Sequence, residues 1–371
     1  MHTPESENGR LITTVAASSV TWPRNSEGDV VELADGRLLL IYMEFGDTGS
    51  DFSTTRIVAV ESSDGGCSWA RHRVVTETAP GDVNVYSPNL IRASDGGILL
   101  IFMRRHSRSP LATTQYIWKS TDEGEHFAPY AEISGDAVYS LCNAVVKRLR
   151  TGRLVLPVVT VLQAIEGKPF AGAVLYSDDD GLTWREAEQR IQLPMRGVME
   201  PHVEESSDGR LLMVMRSQLG SLFMSDSADG GVTWSKPQTT GLRSPESCPE
   251  LARIPGTGDL LMIWNNSPYD PQFASHYGKR SPLTAAVSTD DGRTWSHVHD
   301  IEDDPTRAFS NPGCRFTADG RAVINYWTCP YKPEWSMQGM IDLRVAVIDT
   351  AWFYEGISAA LRGTESAHFQ L

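Results

Sequence analysis

An eight-residue pattern, Ser-x-Asp-x-Gly-x-Thr-Trp, recurs along the chain and restricts the folds that are available to it. Its five copies begin at Ser62, Ser120, Ser177, Ser227 and Ser288, with slight variation in the last two positions. Asp and Gly suit a tight turn, because the carboxylate accepts hydrogen bonds from nearby backbone N–H groups and Gly adopts positive φ. The closing aromatic side chain can pack between neighbouring units. Copies spaced by about 50 to 60 residues are typical of propeller blades.

A second repeat sets the number of blades. An Asp-Gly or Thr-Gly turn leads into an apolar run at residues 35–42, 95–102, 151–158, 208–215, 257–264 and 319–326. Each run is typical of a strand that is buried on both faces. Five runs lead into the eight-residue pattern, and the sixth leads to a degraded copy at Asp349 and Trp352. These repeats predict an all-β fold, a six-bladed β-propeller.

The two ends of the chain give further expectations. Residues 11–20 form an apolar segment that we expect to pair with the last blade, which would close the ring and remove an exposed sheet edge. Residues 352–362 read as the one helical stretch. Since no linker or low-complexity tract interrupts the repeats, residues 1–371 are predicted to form a single domain.

Composition excludes several classes of partner. A net charge of -14 argues against broad binding to nucleic acid or to an anionic membrane. Five cysteines without a CxxC pair favour a reduced protein, and the N-terminus lacks a signal-peptide pattern, so a cytoplasmic location is expected. Because no HExxH, EF-hand or zinc-type cysteine spacing is present, no metal or cofactor is predicted.

The eight-residue copies resemble the Asp boxes of the sialidase (neuraminidase) superfamily, and they extend over nearly the whole chain. This resemblance implies an exo-acting glycoside hydrolase that cleaves a terminal, anionic sugar from a glycan. It assigns Asp51 as the general acid/base and Glu200 as the residue that activates the nucleophile. Arg216 and Arg280 match, by position, two of the three arginines that bind the substrate carboxylate, a task that suits the planar guanidinium.

Two positions depart from the family pattern. The first arginine of the family would fall on Ser26, so the nearby Arg24 is the candidate replacement, and Asn25 and Glu27 are candidates for another recognition role. The nucleophilic tyrosine would fall on Asn311. Because of these departures, the choice of substrate remains open among a sialic acid, a uronic acid, another ulosonic acid and a neutral sugar. The same departures also open an inverting route in which two carboxylates act across a water molecule.

Further polar side chains occupy the same ends of the predicted inner strands. The additional candidates for substrate binding are Arg104, Arg105, His106, His202 and Glu246. The first three would give an acidic protein a locally positive pocket. The histidine follows Glu200 by two residues, which would place both on one face of an extended strand. The glutamate, like Glu27 and Glu200, could form an inverting pair with Asp51.

Two other functions remain open at this point. A polysaccharide lyase would use a tyrosine or histidine as base and arginine to neutralise a uronate. A propeller that binds carbohydrate or protein without catalysis would explain the missing tyrosine, because Asp boxes specify a fold and not an activity.

Overall fold

The computed structural model describes residues 5–7, 9–109, 111–133, 137–161, 170–273, 276–331 and 340–355. Their strands form six antiparallel sheets, one for each predicted blade. The prediction of an all-β, six-bladed propeller is therefore confirmed. The strands are numbered β1 to β27 in chain order.

The first half of the chain contains two N-terminal strands and three blades. The N-terminal strands are β1 (Glu5–Glu7) and β2 (Arg10–Ala16). Blade 1 contains β3 (Arg24–Glu32), β4 (Leu38–Phe45), β5 (Thr55–Ser62) and β6 (Ala70–Glu77). Blade 2 contains β7 (Asn84–Arg92), β8 (Ile98–Arg108), β9 (Leu111–Ser120) and β10 (Ala128–Ile133). Blade 3 contains β11 (Tyr139–Ser140), β12 (Lys147–Arg148), β13 (Leu154–Val161), β14 (Phe170–Ser177), β15 (Arg185–Glu186) and β16 (Ile191–Gln192).

The second half contains the other three blades. Blade 4 contains β17 (Met199–Glu205), β18 (Leu211–Arg216), β19 (Ser221–Ser227) and β20 (Gln238–Arg243). Blade 5 contains β21 (Glu250–Arg253), β22 (Leu260–Asn265), β23 (Leu283–Ser288) and β24 (Ser296–Glu302). Blade 6 contains β25 (Arg307–Phe316), β26 (Arg321–Pro330) and β27 (Asp342–Asp349). The predicted apolar runs form β4, β8, β13, β18, β22 and β26, and these strands are almost entirely buried.

The first and last strands of the described chain meet in blade 6. Strand β2 pairs with β27, so the sheet order is β1-β2-β27-β26-β25 and the predicted closure by the N-terminal segment is confirmed. A short 3₁₀ helix covers Thr350–Tyr354, and residues 356–362 of the predicted helical stretch lie outside the described residues. Within the described part of the chain, no helix is long and apolar enough to cross a membrane.

The Asp boxes act as hydrogen-bonded turns. In blade 3, Ser177 Oγ donates to Asp179 Oδ1 at 2.8 Å and accepts from the backbone N–H of Gly181 at 2.8 Å. The backbone N–H of Thr183 donates to Asp179 Oδ1, and Trp184 Nε1 donates to the carbonyl of Gly181. The serine and aspartate bonds recur in the other four boxes. Because each turn is fixed in this way, its aromatic side chain has one position against the sheets.

The aromatic side chains pack between blades, as the sequence predicts. Trp234 of the blade 4 box joins a buried cluster with Leu149 and Val155 of blade 3. Trp295 of the blade 5 box packs with Leu212 and Leu242 of blade 4. This packing fixes each blade against the preceding one, and it determines where the first strands of the blades meet.

Candidate active site

Irregular first strands present the side chains of the candidate site. Strands β3, β7, β17 and β25 each contain a shift of register, which marks a β-bulge. At each bulge, a residue other than glycine has positive φ: Glu27 (47°), Ser87 (51°), Glu200 (40°) and Asn311 (52°). Bulges of this kind redirect side chains, and such uncommon backbone conformations concentrate at functional sites. All four residues line one cavity.

All six blades contribute to this cavity, so it lies where their first strands converge. Its volume is about 160 Å³. The lining residues are Arg24, Glu27, Asp51, Tyr86, Ser87, Leu141, Cys142, Arg196, Met199, Glu200, Arg216, His276, Arg280 and Asn311. The cavity is smaller than the roughly 300–1,000 Å³ of sites for drug-sized ligands. It therefore suits one small polar group, such as a single sugar residue, better than a length of polymer.

One wall of the cavity consists of a buried arginine between two carboxylates. Arg24 Nη1 donates to Asp51 Oδ1 at 2.7 Å, and Arg24 Nη2 donates to Glu27 Oε1 at 2.5 Å. The guanidinium stacks on the ring of Phe45, with 4.0 Å between Cζ and the ring centroid. Because both Nη atoms of Arg24 serve the protein's own carboxylates, this arginine mainly organises the acidic wall.

The two carboxylates have opposite pKa shifts. Burial raises the pKa of Glu27, although the charge of Arg24 and a hydrogen bond from Ser26 oppose the rise. Burial also acts to raise the pKa of Asp51, but the charge and hydrogen bond of Arg24 outweigh it and lower this pKa to about 2. The side chain of Asp51 is 43% exposed, whereas that of Glu27 is 3% exposed. Asp51 is therefore the carboxylate that a ligand reaches first.

The segment that carries Asp51 is held from blade 2. Tyr86 Oη donates to Asp51 Oδ1 at 2.9 Å. Arg105 Nη1 and Asn84 Nδ2 donate to the backbone carbonyl of Asp51 at 2.5 and 2.9 Å, respectively. The Arg105 guanidinium also lies over the Tyr86 ring, with 3.8 Å between Cζ and the centroid. These contacts fix Asp51 even though it lies in a loop between β4 and β5.

The other wall is an arginine cluster organised by one buried glutamate. Arg216 Nη1 donates to Glu200 Oε2 at 2.6 Å, and its Nη2 lies 3.6 Å from Glu246 Oε1. Arg196 Nη1 lies 2.9 Å from the same oxygen of Glu246. Arg280 Nη2 donates to the backbone carbonyl of Glu246 at 3.2 Å. Glu246, whose side chain has no exposed area, therefore positions all three guanidinium groups.

This arginine cluster carries more positive charge than the neighbouring carboxylates neutralise. Arg280 has no carboxylate within ion-pair distance among the described residues, and burial followed by the charge of Arg216 lowers its pKa to about 10. The Nε atoms of Arg216 and Arg280 are buried without a hydrogen-bond partner in the described part of the chain. Burial and the charges of Arg280 and Arg216 also lower the pKa of His276, so its imidazole is neutral. This wall favours a bound anion.

The structure brings together many of the residues that the sequence singles out. Those that line the cavity are Asp51, Glu200, Arg24, Glu27, Arg216, Arg280 and Asn311. At the position of the family tyrosine, Asn311 presents a side-chain amide, and its Oδ1 accepts a hydrogen bond from Trp327 Nε1 at 3.0 Å. The arginines that line the cavity are Arg24, Arg196, Arg216 and Arg280, and not Arg104 and Arg105.

Six of the residues predicted to contact substrate lie outside the lining of this cavity. They are Asn25, Arg104, Arg105, His106, His202 and Glu246. Strand β8 is longer than predicted and includes both Arg104 and His106. Within blade 2, the Arg104 guanidinium lies over the ring of Tyr116, and His106 pairs with Asp82. Asn25 is buried within β3.

The other three of these residues act behind the cavity. Arg105 and Glu246 hold lining residues in place, as described above. His202 does not share the face of Glu200, because the bulge between Met199 and His202 breaks the alternation of β17. Its side chain is buried beneath the cavity, with Nδ1 3.0 Å from Glu250 Oε2.

Sequence reasoning missed several lining residues, namely Arg196 and His276 in loops and Ser87 and Cys142 near first strands. One signal could have located the bulges. A proline or glycine directly follows the residue with positive φ in Glu27-Gly28, Ser87-Pro88, Glu200-Pro201 and Asn311-Pro312. No comparable local signal marks the two loop residues.

Comparison with known families agrees with this architecture. Residues 55–324 match the model of the BNR repeat-like domain. The chain belongs to the BNR repeat-like domain family. No protein in a comparison with curated sequences matches it significantly.

Several solved structures share the fold of this BNR repeat-like protein. A protein of unknown function from Dyadobacter fermentans is 16% identical, with a TM-score of 0.70 over 91% of this chain and 99% of that one. The Hadza microbial sialidase Hz136 is also 16% identical, with a TM-score of 0.68 over 91% and 68% of the two chains. The NanB sialidase of Streptococcus pneumoniae is 13% identical, with a TM-score of 0.72 over 91% and 70%. At identities this low, the TM-scores show that these proteins share a sialidase-like fold.

Proposed function

We propose that this protein is an exo-acting glycoside hydrolase that removes a terminal sugar bearing a carboxylate. The observation that carries the proposal is the pair of buried arginines, Arg216 and Arg280, whose excess charge faces a small cavity with Asp51 on its opposite wall. A cavity of this size fits the end of a glycan, which is the reason for an exo mode of action. The sialidase-like fold supports the same chemistry by analogy.

Recognition would rely on the arginine cluster. A substrate carboxylate that binds between Arg216 and Arg280 would use their unpaired Nε–H groups and supply the negative charge that Arg280 lacks. Guanidinium groups bind carboxylates through paired, charge-assisted hydrogen bonds. Arg196, which is 41% exposed at the edge of the cluster, is available to hydroxyl groups of the same sugar or to the next residue of the glycan.

Proton transfer would rely on Asp51. Hydrolysis breaks the bond between the anomeric carbon and the leaving oxygen, adds water to that carbon and delivers a proton to that oxygen. Beside Arg24, Asp51 is ionised, because the charge and hydrogen bond of this arginine lower its pKa to about 2. A bound anionic sugar would cover its exposed part and add a like charge, and both effects raise the pKa of a carboxyl group. Substrate binding would thus prepare Asp51 to donate a proton.

Activation of water would rely on Glu200. Its pKa lies below the usual value because the charge of Arg216 outweighs burial, so it is an ionised acceptor on the other wall. Asn311 provides an amide where a tyrosine would be needed for a covalent intermediate. The pair of Asp51 and Glu200 therefore favours direct attack by water with inversion at the anomeric carbon.

The test is product formation from a panel of sialosides, uronides and neutral glycosides. The wild type should release sugar from at least one anionic member, and Asp51→Asn and Glu200→Gln should each reduce the rate by at least 100-fold. Glu125→Gln, which alters an exposed ion pair with Arg71, is the matched control and should retain full activity. No turnover of any member, with unchanged glycan binding in the variants, would replace this proposal with a binding role.

A uronate lyase is the second candidate, and His276 favours it. Its imidazole is neutral and lies beside Arg280 and Arg216, an arrangement that suits a base next to a neutralised carboxylate. Tyr86 is less suited, because burial and then Asp51 raise its pKa well above the usual value. A lyase forms a carbon–carbon double bond and adds no water, so an ultraviolet-absorbing product without oxygen uptake from ¹⁸O-labelled water would identify it.

A further inference from the structure

We propose that Cys142, His202 and Cys248 bind one zinc ion directly beneath the cavity. These residues belong to three consecutive blades: Cys142 lies between β11 and β12, His202 lies in β17 and Cys248 lies just before β21. All three side chains are buried. Thiolate and imidazole are the ligands that zinc prefers in proteins. This inference does not depend on the proposed hydrolase activity.

The spacing of the donor atoms fits a tetrahedral ion. Cys142 Sγ and Cys248 Sγ are 3.5 Å apart, and Cys248 Sγ and His202 Nε2 are 3.7 Å apart. All three donor atoms lie within 4.8 Å of one another. With Zn–S bonds of about 2.3 Å and Zn–N bonds of about 2.0 Å, a tetrahedron has edges of about 3.5–3.8 Å. Two of the three edges therefore have nearly the required length before an ion binds.

A buried carboxylate lies behind the histidine. His202 Nδ1 lies 3.0 Å from Glu250 Oε2, which leaves Nε2 directed at the cysteine sulfur. Ligating histidines usually have a carboxylate on the ring nitrogen that does not bind the metal. Glu250 Oε1 lies 3.5 Å from Lys147 Nζ, and the same ammonium group lies 3.3 Å from Glu204 Oε2, so the two carboxylates share this cation. Two thiolates would balance the charge of Zn²⁺.

Three protein ligands leave one coordination position for another molecule. Cys142 lines the cavity as well as the cluster, so the cluster adjoins the cavity floor. The fourth ligand is accordingly a water molecule or an oxygen atom of whatever occupies the cavity. The ligands are separated by 60 and 46 residues in the sequence, so the short motifs of zinc sites do not reveal them.

The experiment is metal binding by the full chain, reduced and dialysed against a chelator. Elemental analysis after addition of zinc should give one equivalent per chain, and cobalt should produce sulfur-to-metal charge-transfer absorption. Cys248→Ala and Cys142→Ser should each lose the equivalent. Cys314→Ala, a buried cysteine in blade 6, is the matched control and should retain it. Glu250→Gln should weaken the affinity about 10- to 100-fold.

Several results would overturn the site. If reduced wild type takes up no zinc, or if the cysteine variants and wild type take up the same amount, the cluster does not bind metal. If the only chemistry is oxidation of Cys142 and Cys248 to a disulfide, the pair is a redox couple and the proposal fails. The cobalt spectrum of the wild type keeps the test valid if a cysteine variant does not fold.

Discussion

Replacement of Arg280 by methionine should stabilise the empty protein while it removes binding of an anionic ligand. The pKa of Arg280 falls from 12.5 to about 10, so holding its proton in the folded state costs roughly 3 kcal/mol at neutral pH. Because the folded pKa is the lower one, this cost is fully present below about pH 10 and fades as the pH rises toward 12.5. Methionine fills a similar volume without charge.

Part of that gain is offset by lost contacts. Arg280 donates a hydrogen bond to the carbonyl of Glu246, worth about 1 kcal/mol. Its guanidinium also lies 5.7 Å from the centroid of the Trp327 ring, which contributes about 0.5–1 kcal/mol. The expected net stabilisation of Arg280→Met is thus about 1–2 kcal/mol.

Arg216→Met is the matched contrast, because the same substitution is made at the partner arginine of the same wall. Arg216 has an ion pair with Glu200 at 2.6 Å and lies 3.6 Å from the buried carboxylate of Glu246, and the loss of both interactions should cost about 3–5 kcal/mol. Urea denaturation at pH 7 measures both free energies of unfolding. The two variants should move in opposite directions. If Arg280→Met is destabilised as strongly as Arg216→Met, the Arg280 charge is already compensated and the reasoning about an anion site is wrong.

Three other predictions concern stability. Asp51→Asn should reduce the loss of stability between pH 4 and pH 2, by about 1 kcal/mol after allowance for exposure, because the depressed pKa of Asp51 stabilises the fold only above that range; acid titration followed by circular dichroism measures this. Gly124→Ala should cost at least 2 kcal/mol in urea denaturation, because a Cβ atom at this position would lie 2.4 Å from Leu39 Cδ2. Gly152→Ala should cost only about 1 kcal/mol, because a Cβ atom at that position would have no neighbour within 4 Å. Trp295→Ala should lower the free energy of unfolding by about 3–5 kcal/mol because it empties a buried contact between blades, and an unchanged denaturation midpoint would contradict the role of the Asp-box aromatic.

The sequence predicts the fold well because the fold repeats. Each Asp box encodes its own turn through bonds within eight residues, as in Ser177 to Trp184, so local chemistry and global architecture agree. The closing strand β2 could also be inferred, because the last blade lacks a strand of its own and the apolar N-terminal segment can supply it. These features depend on patterns that are visible along the chain.

The candidate site is less predictable because bulges decide which side chains face the cavity. A strict alternation in β17 would place Glu200 and His202 on one face, whereas the bulge sends Glu200 into the cavity and His202 beneath it. Arg196 and His276 reach the cavity from loops, where sequence spacing carries no directional information. Glu246, a predicted substrate contact, lies outside the cavity lining, where it holds the guanidinium groups of three arginines.

The most direct test of the account compares substrates that bear a carboxylate with a neutral counterpart. A uronide and the neutral hexoside with the same aryl leaving group and linkage, together with a sialoside, are incubated with the protein, and proton NMR follows the release and anomeric configuration of the free sugar. The account predicts release from a carboxylate-bearing substrate with inversion, a rate at least 100-fold lower for the neutral counterpart, and loss of activity in Arg280→Met. Equal hydrolysis of the charged and neutral substrates, or no hydrolysis of any of them, would contradict it.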